Sequence, residues 1–204
     1  MKRILHISCS PRGRAAESYR LSRKIVDHLL AKEPASVVVD RNVSDDALGH
    51  VDQDYAVSQH SLADVSQNGS AAVSEPLIKE LESADFVVIG TPVHNFTVPS
   101  ALKAWIDHVV RVRWTFDVTA HGKVGRLHDR PVFIAVSSGG RFSGEGARQP
   151  DFLTPYLQAA LAIIGLRDLT FFSVQGTVFG PEALDEARRN ADAALLAHFA
   201  GARS

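Results

Sequence analysis

Three short stretches concentrate the residues able to do chemistry, and the first is CSPRGRAAES, Cys9 to Ser18. An apolar run, RILHIS, precedes it and a helix-like run, YRLSRKIVDHLL, follows. Backbone N–H groups at the start of a helix have no intrahelical partner, and the helix dipole is positive there, so the place suits a phosphate. Ser10, Gly13 and Ser18 stand where such a cradle forms. The stretch matches neither G-x-x-x-x-G-K-[ST] nor G-x-G-x-x-G, which disfavours a triphosphate or a conventionally bound dinucleotide. A single terminal phosphate is the more economical ligand. A phosphatase thiolate would need an arginine six positions after Cys9; that position is Ala15, and Arg14 falls one residue short. Cys9 is therefore expected to be a small packed side chain at a strand end.

The second stretch is GTPVHNFTVPSALKAWID, in which Pro92 and Pro99 bracket Val93, His94, Asn95 and Phe96. That mix of apolar surface and polar edge suits a flat heteroaromatic ring with carbonyl and N–H groups on its rim. The third, SSGGRFSGEG, begins at Ser137 and Ser138, and its Gly139 and Gly140 let backbone amides approach a ligand closely. A phosphate at one end and a flat ring at the other describe a site for flavin mononucleotide (FMN).

The elements that must position these stretches follow from hydrophobic patterning. Arg3–Ser8, Ser36–Asp40, Asp85–Gly90, Arg130–Ser138 and the run LTFFSVQG read as five short apolar strands. Helical patterns alternate with them, including one at 15–31 with Leu21, Ile25, Leu29 and Leu30 on one face and one beginning EPLIKELESA with Pro76 near its start. Continuous apolar strands separated by helices predict a doubly wound α/β fold, a parallel sheet with helices on both faces. In such a sheet ligands bind beyond the carboxyl ends of the strands, and all three stretches fall there. Residues 44–75, with Asp45, Asp46, Asp52, Asp54, Asp64 and Glu75 and no Lys or Arg, read as an excursion of loop and short helix with no core face of its own.

Bulk properties narrow the function. The chain has 204 residues, a net charge of −1 and 45% hydrophobic residues, which suits one globular domain spanning 1–204 and offers no basic surface for nucleic acid. One cysteine excludes an internal disulfide and any multi-cysteine metal site. The nine histidines show no ligand spacing, so no metal is expected. The apolar part of the N-terminal run is too short for a signal peptide, and no run reaches the roughly 20 apolar residues of a membrane span, so the cytoplasm is the expected location.

The chain resembles the FMN-dependent NADH:quinone oxidoreductases, or azoreductases, of the flavodoxin-like fold. The resemblance covers nearly the whole length and rests on the Ser10…Ser18 loop, TPVHNFTVPSALKAWID, SSGG, TPYLQAALAIIG and QGTVFGPEAL. It implies a five-stranded sheet in the order 2-1-3-4-5. It implies FMN, with Ser10, Ala16, Glu17 and Ser18 at the phosphate, Pro92, Val93, His94, Asn95 and Phe96 along the isoalloxazine, and Ser137, Ser138, Gly139 and Gly140 at its pyrimidine edge. It also implies NADH or NADPH as donor, quinones and azo compounds as acceptors in a ping-pong two-electron mechanism, and a homodimer whose partner completes each pocket. Three positions depart from the family pattern: Ala16 stands where a serine is usual, Glu17 where a glutamine is common, and His94 where an aromatic residue often lies beside the flavin. An acidic Glu17 repels a phosphate unless it points away. His94 is the one candidate for proton donation to the acceptor. The rival readings are a flavodoxin-type electron carrier, which a charge of −1 disfavours, and a flavin-free regulatory protein of the same fold.

Overall fold

The computed structural model of the chain describes residues 1–44, 48–60 and 69–201. Strand β1 (Arg3–Ser8) leads through a 3₁₀ turn (Gly13–Ala15) into α1 (Glu17–Lys32), followed by β2 (Val37–Asn42), α2 (Gln53–His60) and α3 (Gly69–Ser83). Then come β3 (Phe86–Pro92), α4 (Ser100–Val109), a hairpin of β4 (Phe116–Thr119) and β5 (Gly122–Gly125), β6 (Val132–Ser138), α5 (Leu153–Ile163), β7 (Leu169–Gln175) and α6 (Pro181–Gly201).

Five strands form one parallel sheet in the order β2-β1-β3-β6-β7. The numbers differ from the expected 2-1-3-4-5 because β4 and β5, which the sequence reading did not anticipate, intervene in the chain and pair only with each other. The order reverses between β1 and β3, which opens a crevice at their carboxyl ends.

Alternation along each strand divides the core into two layers. Leu5, Ile7, Val87, Ile89, Ile134 and Val136 pack with α3, α4 and α5 on one face. Ile4, Val88, Phe133, Ala135, Phe172 and Val174 pack with α1 and α6 on the other. Each Val, Leu, Ile or Phe so withdrawn from water, on one face or the other, stabilises the fold by roughly 1.5–3 kcal/mol before conformational entropy is charged. This two-sided burial is why the strands read as unbroken apolar runs.

The segment after β2 is more ordered than expected. Helix α3 begins at Gly69, so Pro76 lies inside it instead of near its start. Proline there removes one backbone donor, but the helix is held by its packed face: Ala71, Leu77, Ile78 and Leu81 are buried. The expectation that this region has no core face is corrected by Tyr55, which is buried and donates its hydroxyl to the Asp107 carbonyl at 2.6 Å. Asp52 accepts the Tyr55 amide at 2.8 Å and the Ser70 amide at 2.8 Å, tying the starts of α2 and α3 together. Asp45, Asp46 and Asp64 of the acidic excursion lie outside the described residues. Among the described residues no helix is long and apolar enough to cross a membrane.

Candidate functional site

Beyond the carboxyl ends of β1, β3, β6 and β7 the parallel sheet places neighbouring loops at one end: 9–16 after β1, 93–99 after β3, 139–152 after β6 and 176–180 after β7. Backbone hydrogen bonds stitch each to its neighbour. Cys9 N–H donates to the Gly90 carbonyl (3.1 Å), Val93 N–H to Ser137 (2.8 Å), Phe152 N–H to Phe96 (3.1 Å), Gly176 N–H to Gly140 (3.0 Å) and Thr177 N–H to Ser138 (3.1 Å). The three stretches singled out in the sequence are therefore joined at one edge of the sheet. The loop 176–180 belongs with them, although no residue type in it marks it for chemistry. Its signal was positional, since QGTVFG follows the last strand of the same sheet.

At the first loop, Gly13 takes φ +52° and its amide donates to the Ser10 carbonyl at 2.9 Å, which folds the chain back towards α1. Ser10 is buried, and its hydroxyl accepts the Arg12 amide at 3.2 Å. The N-cap of α1 is Ala16, whose methyl group cannot cap, and no side chain takes the first-turn donors. Arg20 N–H already bonds the Ala16 carbonyl at 3.0 Å. The amides of Glu17, Ser18 and Tyr19 are thus left without helical acceptors. The Ser18 hydroxyl is fully buried and has no hydrogen-bond partner. A buried hydroxyl without a partner costs about 1–3 kcal/mol, and the first-turn amides beside it are donors of the kind an anion takes.

Glu17 points elsewhere. Its carboxylate receives Arg188 of α6, with Nε at 3.1 Å and Nη2 in a second contact, and Arg20 Nε at 3.0 Å. The hydrogen bond from Arg188 holds its carboxyl below the usual range, helped by Arg20 and opposed by partial burial. Only the Glu17 backbone N–H faces the task the sequence suggested for it. Cys9 is fully buried, and its thiol donates to the Gly90 carbonyl at 3.0 Å. Burial pushes its pKa up to about 12, with a hydrogen bond to Thr91 acting weakly against it. It is a packed thiol, not a nucleophile.

The second loop is a two-residue hairpin. His94 and Thr97 exchange N–H···O bonds at 2.9 and 3.0 Å, while Asn95 (φ +49°) and Phe96 (φ +70°) occupy its corners. Two consecutive positive φ angles make the primed turn that asparagine tolerates and phenylalanine resists. The turn projects His94, Asn95 and Phe96 into solvent, with Phe96 45% exposed, above the half-buried Pro92 and Val93. In the third loop Ser137 and Ser138 are buried, and Gly139 and Gly140 lie half-buried against other chain. A Cβ at Gly139 would sit 3.2 Å from Val178, and one at Gly140 would collide with the carboxamide of Gln149. Gln149 in turn donates to the Ser138 hydroxyl at 3.1 Å. Exposed Phe152, Val178 and Phe179 add apolar surface near the mouth.

A doubly wound sheet with an anion cradle after β1 and an aromatic turn after β3 defines the flavodoxin-like class, and residues 2–199 match the family described as Flavodoxin-like fold. The chain is 47% identical over 194 residues to FMN-dependent NADH:quinone oxidoreductase 4 of Pseudomonas fluorescens, covering 92% of this chain and 93% of that one. It is 43% identical to FMN-dependent NADH:quinone oxidoreductase 5 of Burkholderia lata, over 97% of each chain. In three dimensions it is similar to an FMN-dependent NADH-azoreductase from Bacillus anthracis solved in complex with FMN, with a TM-score of 0.76 at 24% identity over 96% of this chain and 98% of that one. The chain belongs to the flavodoxin-like family of FMN-dependent NADH:quinone oxidoreductases.

Proposed function

We propose that the chain is an FMN-dependent reductase that takes electrons from NADH or NADPH and delivers them to quinones and aromatic azo compounds. The observation that carries the reading is the uncapped start of α1 with the buried, unpartnered Ser18 hydroxyl beside it. The names of the relatives at 43–47% identity support the same activity. When bound, FMN would supply two-electron chemistry in alternation, accepting from the nicotinamide and giving to the acceptor, which predicts ping-pong kinetics.

The protein's part is positioning. The amides of Glu17, Ser18 and Tyr19 and the hydroxyls of Ser10 and Ser18 would hold the phosphate, with Ala16 lining the cradle because its own N–H is taken by the Gly13 carbonyl at 3.2 Å. Pro92, Val93, Asn95 and Phe96 would flank the ring. Ser137, Ser138, Gly139 and Gly140 would offer amides where negative charge grows. His94, exposed beside the turn, would give a proton or a hydrogen bond to the acceptor. The chain 1–204 would act as one FMN-binding unit in the cytoplasm, and a second copy would cover the mouth where Phe96, Phe152 and Phe179 lie open.

The test is a spectrum. The purified protein, reconstituted with FMN, should show flavin absorbance that bleaches on adding NADH under argon and returns on adding a quinone. A protein that binds FMN but is bleached by neither NADH nor NADPH would be an electron carrier. A protein that cannot be reconstituted would be the flavin-free alternative.

A further inference from the structure

We propose that Gln175 is a positioning residue for the glycine turn: it fixes the stretch from Ser138 to Ser143 so that its backbone donors face the ring site. The inference rests on the FMN reading above and gives a role to Gln175, the first residue of QGTVFGPEAL, to which that reading assigns none.

Gln175 is the last residue of β7. Its side-chain oxygen accepts the amides of Phe142 (2.8 Å) and Ser143 (3.1 Å). Its side-chain nitrogen donates to the hydroxyls of Ser143 (2.6 Å) and Ser173 (2.9 Å). The carboxamide thus uses both acceptor sites and both hydrogens, the full capacity of the group. A surface glutamine rarely does this, because ordering its side chain costs rotamer entropy.

The backbone that follows completes the clamp. Gly176 N–H takes the Gly140 carbonyl at 3.0 Å and Thr177 N–H takes the Ser138 carbonyl at 3.1 Å. In a trans peptide the C=O and the next N–H point in opposite directions. Drawing the Ser138 and Gly140 oxygens towards β7 therefore turns the N–H groups of Gly139 and Arg141 away from it. Beyond β6 on that side stands β3 with its aromatic turn. Gly139 and Gly140 impose little conformational preference of their own, so the direction of these donors is set from outside the turn, and Gln175 secures its far end.

The experiment compares the wild-type chain with Gln175→Ala and Gln175→Glu. The glutamate keeps two acceptors for the Phe142 and Ser143 amides, and the two serine hydroxyls can rotate to donate to its other oxygen. Three quantities are read: amide hydrogen exchange of 138–143 in the apoprotein, FMN affinity by fluorescence quenching, and Tm. The alanine variant should exchange roughly tenfold faster in that stretch alone and bind FMN roughly tenfold more weakly at nearly unchanged Tm, the equivalent of one lost net hydrogen bond or two. The glutamate variant should restore the exchange protection. Unchanged FMN affinity in Gln175→Ala overturns the proposal, as does faster exchange throughout the chain or a glutamate variant that restores nothing. If the wild-type chain itself binds no FMN, the proposed function falls and takes the inference with it; if the wild type binds and the alanine variant binds equally well, only the inference falls.

Discussion

Glu17 and Arg188, 171 residues apart in the chain, form a two-pronged ion pair that ties the first turn of α1 to α6. The glutamate side chain is only 14% exposed, and Arg20 closes on it from one turn along α1. An acidic residue that belongs by sequence to the phosphate cradle is thereby turned out of it and neutralised. Removing the arginine should undo this. In Arg188→Ala the freed carboxylate can approach its own helix start and compete with an anion there, so FMN affinity should fall roughly two- to fivefold at low salt. Titration of the apoprotein at two ionic strengths checks this, with the difference shrinking as salt is raised.

Glu17→Ala should cost roughly 0.5–1 kcal/mol of stability, since Arg20 and Arg188 each lose one acceptor and keep Asp192 and Asp185 as the other. The pH dependence carries a definite sign. Because Arg188, and then Arg20, holds the folded carboxyl below its usual range, its contribution is present above the ordinary glutamate value of about 4.3 and is lost as pH falls through the folded value. Urea titrations across that range should show a smaller acid loss in the variant than in the wild type.

His6 should act in the opposite part of the scale. It is buried on β1, with Nδ1 2.7 Å from Asp40 and Nε2 2.8 Å from the Ser22 hydroxyl. Burial lowers its pKa despite the pull of Asp40, with Arg23 adding to the lowering. The unfolded chain therefore binds this proton more readily than the folded one. Stability should be full above about pH 6.5, the unfolded value, and should decline below it until the folded value is passed. His6→Gln should flatten that limb of a Tm-against-pH curve.

Cys9 should be inert in the native protein. With its pKa pushed up to about 12, it holds roughly a thousandfold less thiolate near pH 8 than an unperturbed cysteine. Mass spectrometry after iodoacetamide treatment should find Cys9 modified in urea and unmodified in buffer.

The turn at Asn95–Phe96 should separate stability from activity. Phe96→Gly relieves the positive φ of +70° and should leave stability unchanged or raise it by about 1 kcal/mol. The same change removes an exposed aromatic face beside the proposed ring site, so kcat/KM for quinones should drop roughly tenfold, about 1.4 kcal/mol of transition-state binding. Thermal melts and steady-state assays of one preparation measure both.

Much of the architecture was legible because two-sided burial leaves a simple trace. The apolar pattern bounds the strand Arg3–Ser8 to the residue and places the ends of the other four parallel strands to within one or two. The β4–β5 hairpin left no such trace: it is four residues a side, with Val118 and Val124 exposed and a salt bridge between Asp117 and Arg126 at its root. Helix α3 was begun six residues late because Pro76 reads as a helix start, while the small buried face of Ser70, Ala71 and Ser74 carries little apolar signal. At the site, loop positions could be read from strand ends. The direction of Glu17 could not, because its partner Arg188 lies on a distant helix, and neither could the clamp of Gln175, which depends on the folded path of 138–143.

Gly90 sets one last constraint. A Cβ there would fall 2.6 Å from the Ser22 hydroxyl and 3.0 Å from the Ser18 carbonyl, so α1 rests on the tip of β3 with nothing between them. The anion end and the aromatic end of the crevice consequently share one abutment and cannot slide apart. On the proposed reading the crevice would work as a fixed gauge, favouring a mononucleotide of matching span over any molecule whose phosphate and ring stand closer together or farther apart.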